Sequence, residues 1–269
     1  MYEKQHYRDN YVDPVKFLEQ LKVERYDNTD ASTMLYSTVV LESSVIVQQF
    51  SVVSIFLTIY KYSALENSLI VEIAALDFVL LFLGCVVHLF MLERGSFQVR
   101  DVAKNALIFG VLLRITSPVM QALTSSYSSD TIHALAFFFS TIHLVFHDYA
   151  YTNCESDKFS GILSLNAAIF TAIILASRLD DLETVVGLMI LAVICFSLFP
   201  STARLIKQRS SLFQILLICV LWSIESCLLY NLDKTLFAAY ELLVVFLWFL
   251  GKSTFMFRCQ VVFVVFNRC

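Results

Sequence analysis

The sequence predicts an all-α, polytopic integral membrane protein with about eight transmembrane helices and both termini in the cytosol. Hydrophobic residues make up 58% of the 269 residues and charged residues only 16%, whereas about a quarter of a soluble domain is charged. Apolar runs close to the ~20 residues that a helix needs to cross a bilayer recur along the chain. Lysines and arginines lie mostly in alternate loops, which indicates a fixed orientation.

The apolar runs define the predicted spans in order. Each run is flanked by polar or charged residues, and each is close to bilayer length. The predicted spans lie near residues 38–60, 69–92, 104–123, 131–149, 160–178, 184–204, 211–230 and 235–257. The third contains Arg114 and Pro118, and we expect the proline to kink it, with Ser117 available to a freed carbonyl.

The cationic residues predict the orientation. Of the 19 lysines and arginines, only Lys61, Arg178 and Lys234 lie in loops that follow odd-numbered spans, and Arg114 lies within a span. The others lie in the N-terminal segment, in the loops after even-numbered spans and at the C-terminal end. Under the positive-inside rule, both termini are therefore cytosolic.

Three regions follow from this pattern. Residues 1–36 form a cytosolic segment, 37–258 the eight-helix transmembrane domain, and 259–269 a short C-terminal end. Within the first region, Asp13 followed by Pro14 predicts the start of a short amphipathic helix. This helix either is exposed to water and leads into the first span, or it lies on the surface of the cytosolic leaflet.

The sequence lacks the motifs of a nucleotide-sugar enzyme. It has only six glycines, and it contains neither a Gly-x-Gly-x-x-Gly nor a Gly-Lys-Ser/Thr phosphate-binding turn. It also has no Asp-x-Asp pair that would hold a metal–diphosphate. We therefore expect no cofactor, no nucleic-acid partner and no group-transfer catalysis by this chain alone.

Polar residues inside the first two spans are candidate contacts. Glu42 and Gln49 are seven residues apart and share a helix face, with Gln48 beside them. Asp77 lies deep in the second span, where Arg114 is a candidate partner. Such groups either form a transport path or hydrogen-bond to neighbouring helices and other proteins of a complex. We favour the structural interpretation because Glu42 lies near a span end, where it reaches water cheaply.

Two histidines and an aspartate mark the end of the fourth span. His143 and His147 are four residues apart, which predicts one shared helix face with Asp148 alongside. This spacing can bind a metal ion, but no further ligand is evident, so we expect no metal site. The histidines are instead predicted to hydrogen-bond to neighbouring helices or to water.

Three other polar residues have predicted structural roles. Asp130, with Thr131, is predicted to cap the start of the fourth span. Asn166 lies within the fifth span, where we expect it to bond to a neighbouring helix because an unpaired amide would be costly. Arg178, at the end of that span, can extend to the lipid headgroups.

An ordered set of short segments over residues 9–179 resembles the PIG-C family, whose members are subunits of phosphatidylinositol N-acetylglucosaminyltransferase. The set covers about two thirds of the chain. After residue 179 the resemblance to the family is mainly in the pattern of hydropathy. The family tends to have an apolar residue where His147 stands. The matching segments are Asp9–Asp13, Phe17–Leu18, Glu42–Gln49, Ser117–Pro118, Leu123–Thr124, Ser129–Ile132, Ala134, His143–Leu144, Phe146, Asp148–Tyr149, Ser164–Asn166, Ala168–Phe170 and Leu175–Leu179.

The resemblance implies a multi-pass, non-catalytic subunit of an endoplasmic reticulum complex. That complex would transfer N-acetylglucosamine from UDP-N-acetylglucosamine to phosphatidylinositol, the first step of glycosylphosphatidylinositol (GPI) anchor synthesis. The other subunits, among them the catalytic glycosyltransferase, and phosphatidylinositol would be the partners. Candidates for lipid or subunit contact are Glu42, Gln48, Gln49, Ser117, Pro118, Asp130, His143, Asp148, Asn166 and Arg178.

Two other functions remain as alternatives. A polytopic lipid or solute transporter would use Glu42, Asp77 and Arg114, and weak symmetry between two four-span halves would favour it; we see none. An enzyme with an intramembrane site at His143 and Asp148 would require activity from the purified chain alone.

Overall fold

A computed structural model describes residues 36–65, 70–91, 115, 128–154, 161–179 and 181–248, and their secondary structure is entirely helical. Several predictions fall outside these ranges: the N-terminal helix at Asp13, the third span except for Ile115, and the end at 259–269. The helices are α1 (Tyr36–Leu65), α2 (Ile70–Met91), α3 (Ser129–Val145), α4 (Tyr149–Thr152), α5 (Ile162–Ala176), α6 (Leu182–Val193), α7 (Phe199–Arg209), α8 (Ser211–Leu232) and α9 (234–248).

The chain divides into two compact units. The first, Met1–Val40, is described only from Tyr36, where α1 begins. The second, Leu41–Cys269, contains the rest of α1 and all the other described helices.

Four helical stretches among the described residues are long and apolar enough to cross a membrane. They are Ser43–Leu65, Val71–His88, Leu182–Arg209 and Ser211–Leu232, and Ile162–Ala176 is a shorter apolar helix. A described helix lies at every predicted span except the third. The chain is thus an all-helical membrane protein over the part that the structure describes.

The helix α1 is the most buried of these stretches. In its most apolar window 67% of residues are buried, compared with 11% in α2 and 17% in α8. Its apolar residues, such as Val52 and Phe56, belong to the same core as Ala172 of α5 and Leu188 of α6. Large apolar side chains of α2, such as Phe82, are exposed, as expected for a helix that contacts lipid tails.

The chain between residues 145 and 149 departs from the predicted single helix. The helix α3 ends at Val145, and α4 begins at Tyr149 with Asp148 as its N-cap, whose carboxylate accepts from the Tyr151 amide at 3.0 Å. A capping aspartate stabilises a new helix start rather than a continuous helix. The Tyr149 hydroxyl donates to the Leu144 carbonyl at 2.6 Å, so a carbonyl at the end of α3 is satisfied.

The start of α3 also differs from the prediction. The N-cap is Ser128, whose hydroxyl accepts from the Thr131 amide at 3.3 Å. Asp130 lies in the first turn, where its carboxylate faces the positive end of the helix dipole. The predicted Asp130 cap is therefore wrong by two positions, because serine and aspartate are equally good caps and either fits the sequence.

A single π-helical turn joins α6 to α7. It spans Ile194–Leu198, and the Phe199 amide bonds to the Ile194 carbonyl five residues back. Pro200 follows directly; it has no amide hydrogen, and its ring would clash with the carbonyl four residues earlier. The wider turn accommodates the proline without breaking the 28-residue stretch Leu182–Arg209.

Candidate functional site

The adjacent glutamines of α1 hydrogen-bond to two different helices. Gln49 Nε2 lies 2.8 Å from His143 Nε2 on α3. Gln48 Oε1 accepts a short hydrogen bond from the amide of Gln214 on α8. Successive residues of a helix point about 100° apart, so neighbouring side chains reach different partners. All four side chains are at most 2% exposed.

His143 is bonded at both ring nitrogens, which fixes its tautomer. Its Nδ1 donates to the Ser164 carbonyl at 2.9 Å and lies 2.8 Å from the Ser164 hydroxyl. That hydroxyl donates in turn to the His143 carbonyl at 2.9 Å. With Nδ1 as donor, Nε2 is the acceptor for the Gln49 amide. We name Gln48, Gln49, His143, Ser164 and Gln214 the glutamine–histidine cluster.

The cluster lies at one end of α3, α5 and α8, three of the four helices that it joins. His143 is in the last turn of α3, and Ser164 and Gln214 are in the first turns of α5 and α8. The chain direction therefore places the end of α3 and the starts of α5 and α8 on one side. The buried polar groups of the cluster thus bond α1 to α3 and α8, and α3 in turn to α5.

His147 contacts His143 from the connection after α3. The two rings meet edge to face with centroids 5.5 Å apart, and the Tyr149 ring lies 5.0 Å from His147. The prediction that both histidines share one helix face is wrong, because α3 ends at Val145. Among the described residues, no group of three or more His, Cys, Asp or Glu side chains is placed to hold a metal ion.

A second set of polar contacts ties α1 to α8 and α9. Glu225 is completely buried, and its Oε1 accepts from the Ser54 hydroxyl at 2.5 Å and from the Thr58 hydroxyl at 2.9 Å. The Ser51 and Tyr240 hydroxyls are 2.8 Å apart. Sequence reasoning missed Glu225 and Gln214, although each stands out as a polar residue within the apolar run of span seven.

The end of the bundle that holds the cluster also carries cations. The Arg204 guanidinium lies 4.5 Å above the Tyr151 ring and donates to the Tyr151 carbonyl at 3.1 Å. Lys207 donates to the Asn153 side chain at 2.5 Å. These contacts join the end of α7 to α4, so positive charge borders the short helix that follows His147.

The other predicted residues are spread over the molecule. Asn166 and Asp130 are exposed, and Arg178 is half-buried just past α5. The expected bond from Asn166 to a neighbouring helix is not formed with any residue that the structure describes. Asp77 is 5% exposed. Arg114, Ser117, Pro118 and the side chain of Glu42 lie outside the described residues.

A cavity of about 220 Å³ lies at the opposite ends of α1 and α8, away from the cluster. Its wall is largely apolar and includes Ile59, Tyr62, Glu72, Ile73 and Leu228.

The buried polar groups of the glutamine–histidine cluster are amide, imidazole and hydroxyl groups bonded to one another. Such an arrangement holds helices together and is not that of an acid–base pair facing a substrate.

Comparison with known proteins identifies the family. The family model described as GPI2, phosphatidylinositol N-acetylglucosaminyltransferase, matches residues 1–267. A putative C subunit of phosphatidylinositol N-acetylglucosaminyltransferase from Dictyostelium discoideum is 34% identical over 98% of this chain and 74% of its own length. The human C subunit of the same transferase is 35% identical over 77% of this chain and 69% of its own length.

A more distant relative is the GPI2 subunit of Schizosaccharomyces pombe, 27% identical over 82% of this chain and 68% of its own length. No solved structure matches the chain. None of these relatives supports the transporter alternative. The predicted resemblance is confirmed: the chain belongs to the GPI2 (PIG-C) family of phosphatidylinositol N-acetylglucosaminyltransferase subunits.

Proposed function

We propose that the chain is a non-catalytic membrane subunit of the endoplasmic reticulum complex that transfers N-acetylglucosamine from UDP-N-acetylglucosamine to phosphatidylinositol. This is the first step of GPI anchor biosynthesis. The main support is the family match over residues 1–267, together with relatives named as the C subunit of that transferase. A subunit implies other subunits, and a separate glycosyltransferase subunit carries the catalysis.

The proposed topology has eight spans with both termini in the cytosol. The distribution of cations supports it, as do the helices at the predicted spans. In this orientation α3 ends at the cytosolic side, where α5 and α8 begin. The glutamine–histidine cluster, Arg204 and Lys207 then lie near the cytosolic face, the side on which the donor sugar nucleotide is available.

The proposed role of the cluster is to hold a rigid platform beside the catalytic subunit. Gln49 and His143 join α1 to α3, and Gln48 joins it to α8. The last turn of α7, with the half-buried Lys207 and the exposed Arg209, would face the anionic headgroups of that leaflet, among them phosphatidylinositol. Asp130 and Arg178 would lie on the lumenal side, available to other subunits.

Affinity purification from native membranes tests this function. The tagged chain, extracted in mild detergent, should retain its partner subunits, and the eluate should transfer labelled N-acetylglucosamine from UDP-N-acetylglucosamine to phosphatidylinositol. Stripping the partners with a harsher detergent should abolish the transfer and leave the purified chain inactive. An eluate of the chain alone that still transfers the sugar would show catalysis by this chain and contradict the proposal.

A further inference from the structure

We propose that the π turn Ile194–Leu198 takes up one extra residue and so keeps the buried faces of α6 and α7 on the same side of the helical stretch. The turn thereby holds the Arg204 guanidinium of α7 against Tyr151 of α4. This conformational device belongs to the chain itself, whatever complex the chain joins. It implies that one residue of a membrane helix can be deleted without loss of the fold.

The buried residues of α6 and α7 are out of step for a single regular helix. Leu188 and Leu191 are buried in α6, and Pro200 and Ala203 are buried in α7. Each α7 residue follows its α6 counterpart by twelve positions. At about 100° per residue, positions twelve apart in an α-helix point about 120° away from each other. A regular helix would therefore turn the buried face of α7 away from that of α6.

The π turn removes this mismatch. Its hydrogen bond runs from the Phe199 amide to the Ile194 carbonyl and encloses one residue more than a turn of α-helix. The helices on its two sides are then related as in a regular helix that is one residue shorter. Counted in this way, Leu188 and Pro200 are about eleven positions apart, or three turns, and they point within about 20° of each other.

Contacts with other helices hold both the turn and α7 in this register. Phe196, within the turn, packs edge to face on Phe56 of α1 and on His143 of α3, with ring centroids 5.2 Å and 5.0 Å apart. After the turn, Arg204 donates to the Tyr151 carbonyl at 3.1 Å and lies 4.5 Å above its ring. A regular α-helix in place of the turn would rotate α7 by about 100° and separate these last two groups.

A matched pair of deletions tests this role of the turn. Ser197 is an exposed residue of the turn, and Ser223 is an exposed serine of α8, an α-helix throughout. Both are deleted in a Pro200→Ala background, since proline disfavours a regular helix. Deleting Ser197 should leave the melting temperature in detergent within about 3 °C of the background, because the extra residue is the one removed.

Deleting Ser223 should lower the melting temperature by about 10 °C or more. This deletion turns Gln214 by about 100° relative to Glu225, and α1 bonds to both side chains. If the Pro200→Ala protein did not fold, the two deletions would be compared in the wild type. There the Ser197 deletion should still be the milder of the two.

A cross-link between α4 and α7 measures the rotation directly. The Cys154 thiol lies 3.8 Å from the Arg204 carbonyl, and Lys207 bonds to the neighbouring Asn153. In a Lys207→Cys variant, a short bifunctional thiol reagent should therefore join position 207 to Cys154. The joined peptide, detected by mass spectrometry, should form equally well with and without Ser197.

Three results would overturn the proposed role of the turn. The first is a Ser197 deletion as damaging as the Ser223 deletion, and the second is equal tolerance of both. The third is a folded Ser197 deletion that no longer forms the cross-link, because α7 would then have rotated. Each of these measurements is made on the chain itself, so each is distinct from a failure of the proposed transferase function.

Discussion

The His143 side chain hydrogen-bonds to two other helices and packs against the π turn. It accepts from Gln49 of α1 and donates to Ser164 of α5, while its own ring contacts Phe196 at 5.0 Å. Its side chain is 1% exposed. A buried imidazole with both nitrogens bonded is well placed to fix the positions of two helices at once.

Replacing His143 with leucine should destabilise the protein. The substitution leaves the buried Gln49 amide without its acceptor, and an orphaned buried polar group costs about 1–3 kcal/mol. The variant should therefore melt at a lower temperature in detergent, as measured by intrinsic fluorescence. His133→Leu is the matched control, because His133 is an exposed residue of the same helix. Equal melting temperatures for the two variants would contradict a structural role for the cluster.

Asp233 gives the protein a pH-dependent helix cap. The hydroxyl and the backbone amide of Thr235 both donate to its Oδ1 at 2.7 Å. These hydrogen bonds lower the pKa of the Asp233 carboxyl below its usual value. Because this pKa is lower in the folded than in the unfolded state, the Asp233 carboxyl group stabilises the fold fully above its unfolded pKa, about 3.9.

That contribution should disappear as the pH falls below about 4 and through the lowered folded pKa. We expect the wild-type melting temperature in detergent to decline over this range. Asp233→Asn keeps a good cap and cannot titrate, so its decline should be smaller. Parallel pH profiles for the two proteins would show that the cap carries no measurable pH dependence.

For single residues, the sequence predicted that buried polar side chains would hydrogen-bond to other helices, but not which residues they would bond to. Buried polar residues within apolar runs were expected to hydrogen-bond to other helices, and Gln49 does. Which helix receives each bond depends on packing, which the sequence does not state. The break after Val145 carries no glycine or proline, so the position of His147 off the helix could not be predicted from spacing.

At the scale of helices, two glycines differ in their surroundings. A Cβ atom added to Gly187 of α6 would lie 2.9 Å from Cγ2 of Ile73 on α2, whereas one added to Gly84 would have nothing within 4 Å. Isoleucine is branched at Cβ and has few alternative rotamers. The close approach of α2 and α6 therefore requires the glycine.

Gly187→Ala should weaken the packing of α2 against α6. Overpacking of this kind typically costs about 1–3 kcal/mol, while Gly84→Ala should be neutral or slightly stabilising because alanine favours helix. Thermal unfolding of the two variants in the same detergent measures the difference. A Gly187→Ala protein as stable as Gly84→Ala would mean that Ile73 yields without cost.

The positions of the helices follow from the sequence because about 20 apolar residues in a row have few other stable structures in a bilayer. Their ends do not follow as well. The cap at Ser128, the short α4 and the π turn at Ile194–Leu198 all depend on local hydrogen bonds. Several residues could make those bonds equally well, so the sequence leaves the choice open.

At the scale of the whole molecule, the proposed topology is open to a direct test. Tags at the two termini should both be digested by a protease added outside intact microsomes, because the positive-inside rule puts both ends in the cytosol. A lumenal marker protein in the same microsomes should remain protected. Protection of one terminal tag would require an odd number of spans, and protection of both would reverse the orientation.

We propose that this chain is a required but non-catalytic subunit of the transferase. The most direct measurement is the synthesis of N-acetylglucosaminyl-phosphatidylinositol in membranes of native cells depleted of the chain and then resupplied with it. We predict that synthesis is lost on depletion, returns with the wild type and with His133→Leu, and is not carried out by the purified chain alone. Undiminished synthesis in the depleted membranes would contradict the claim.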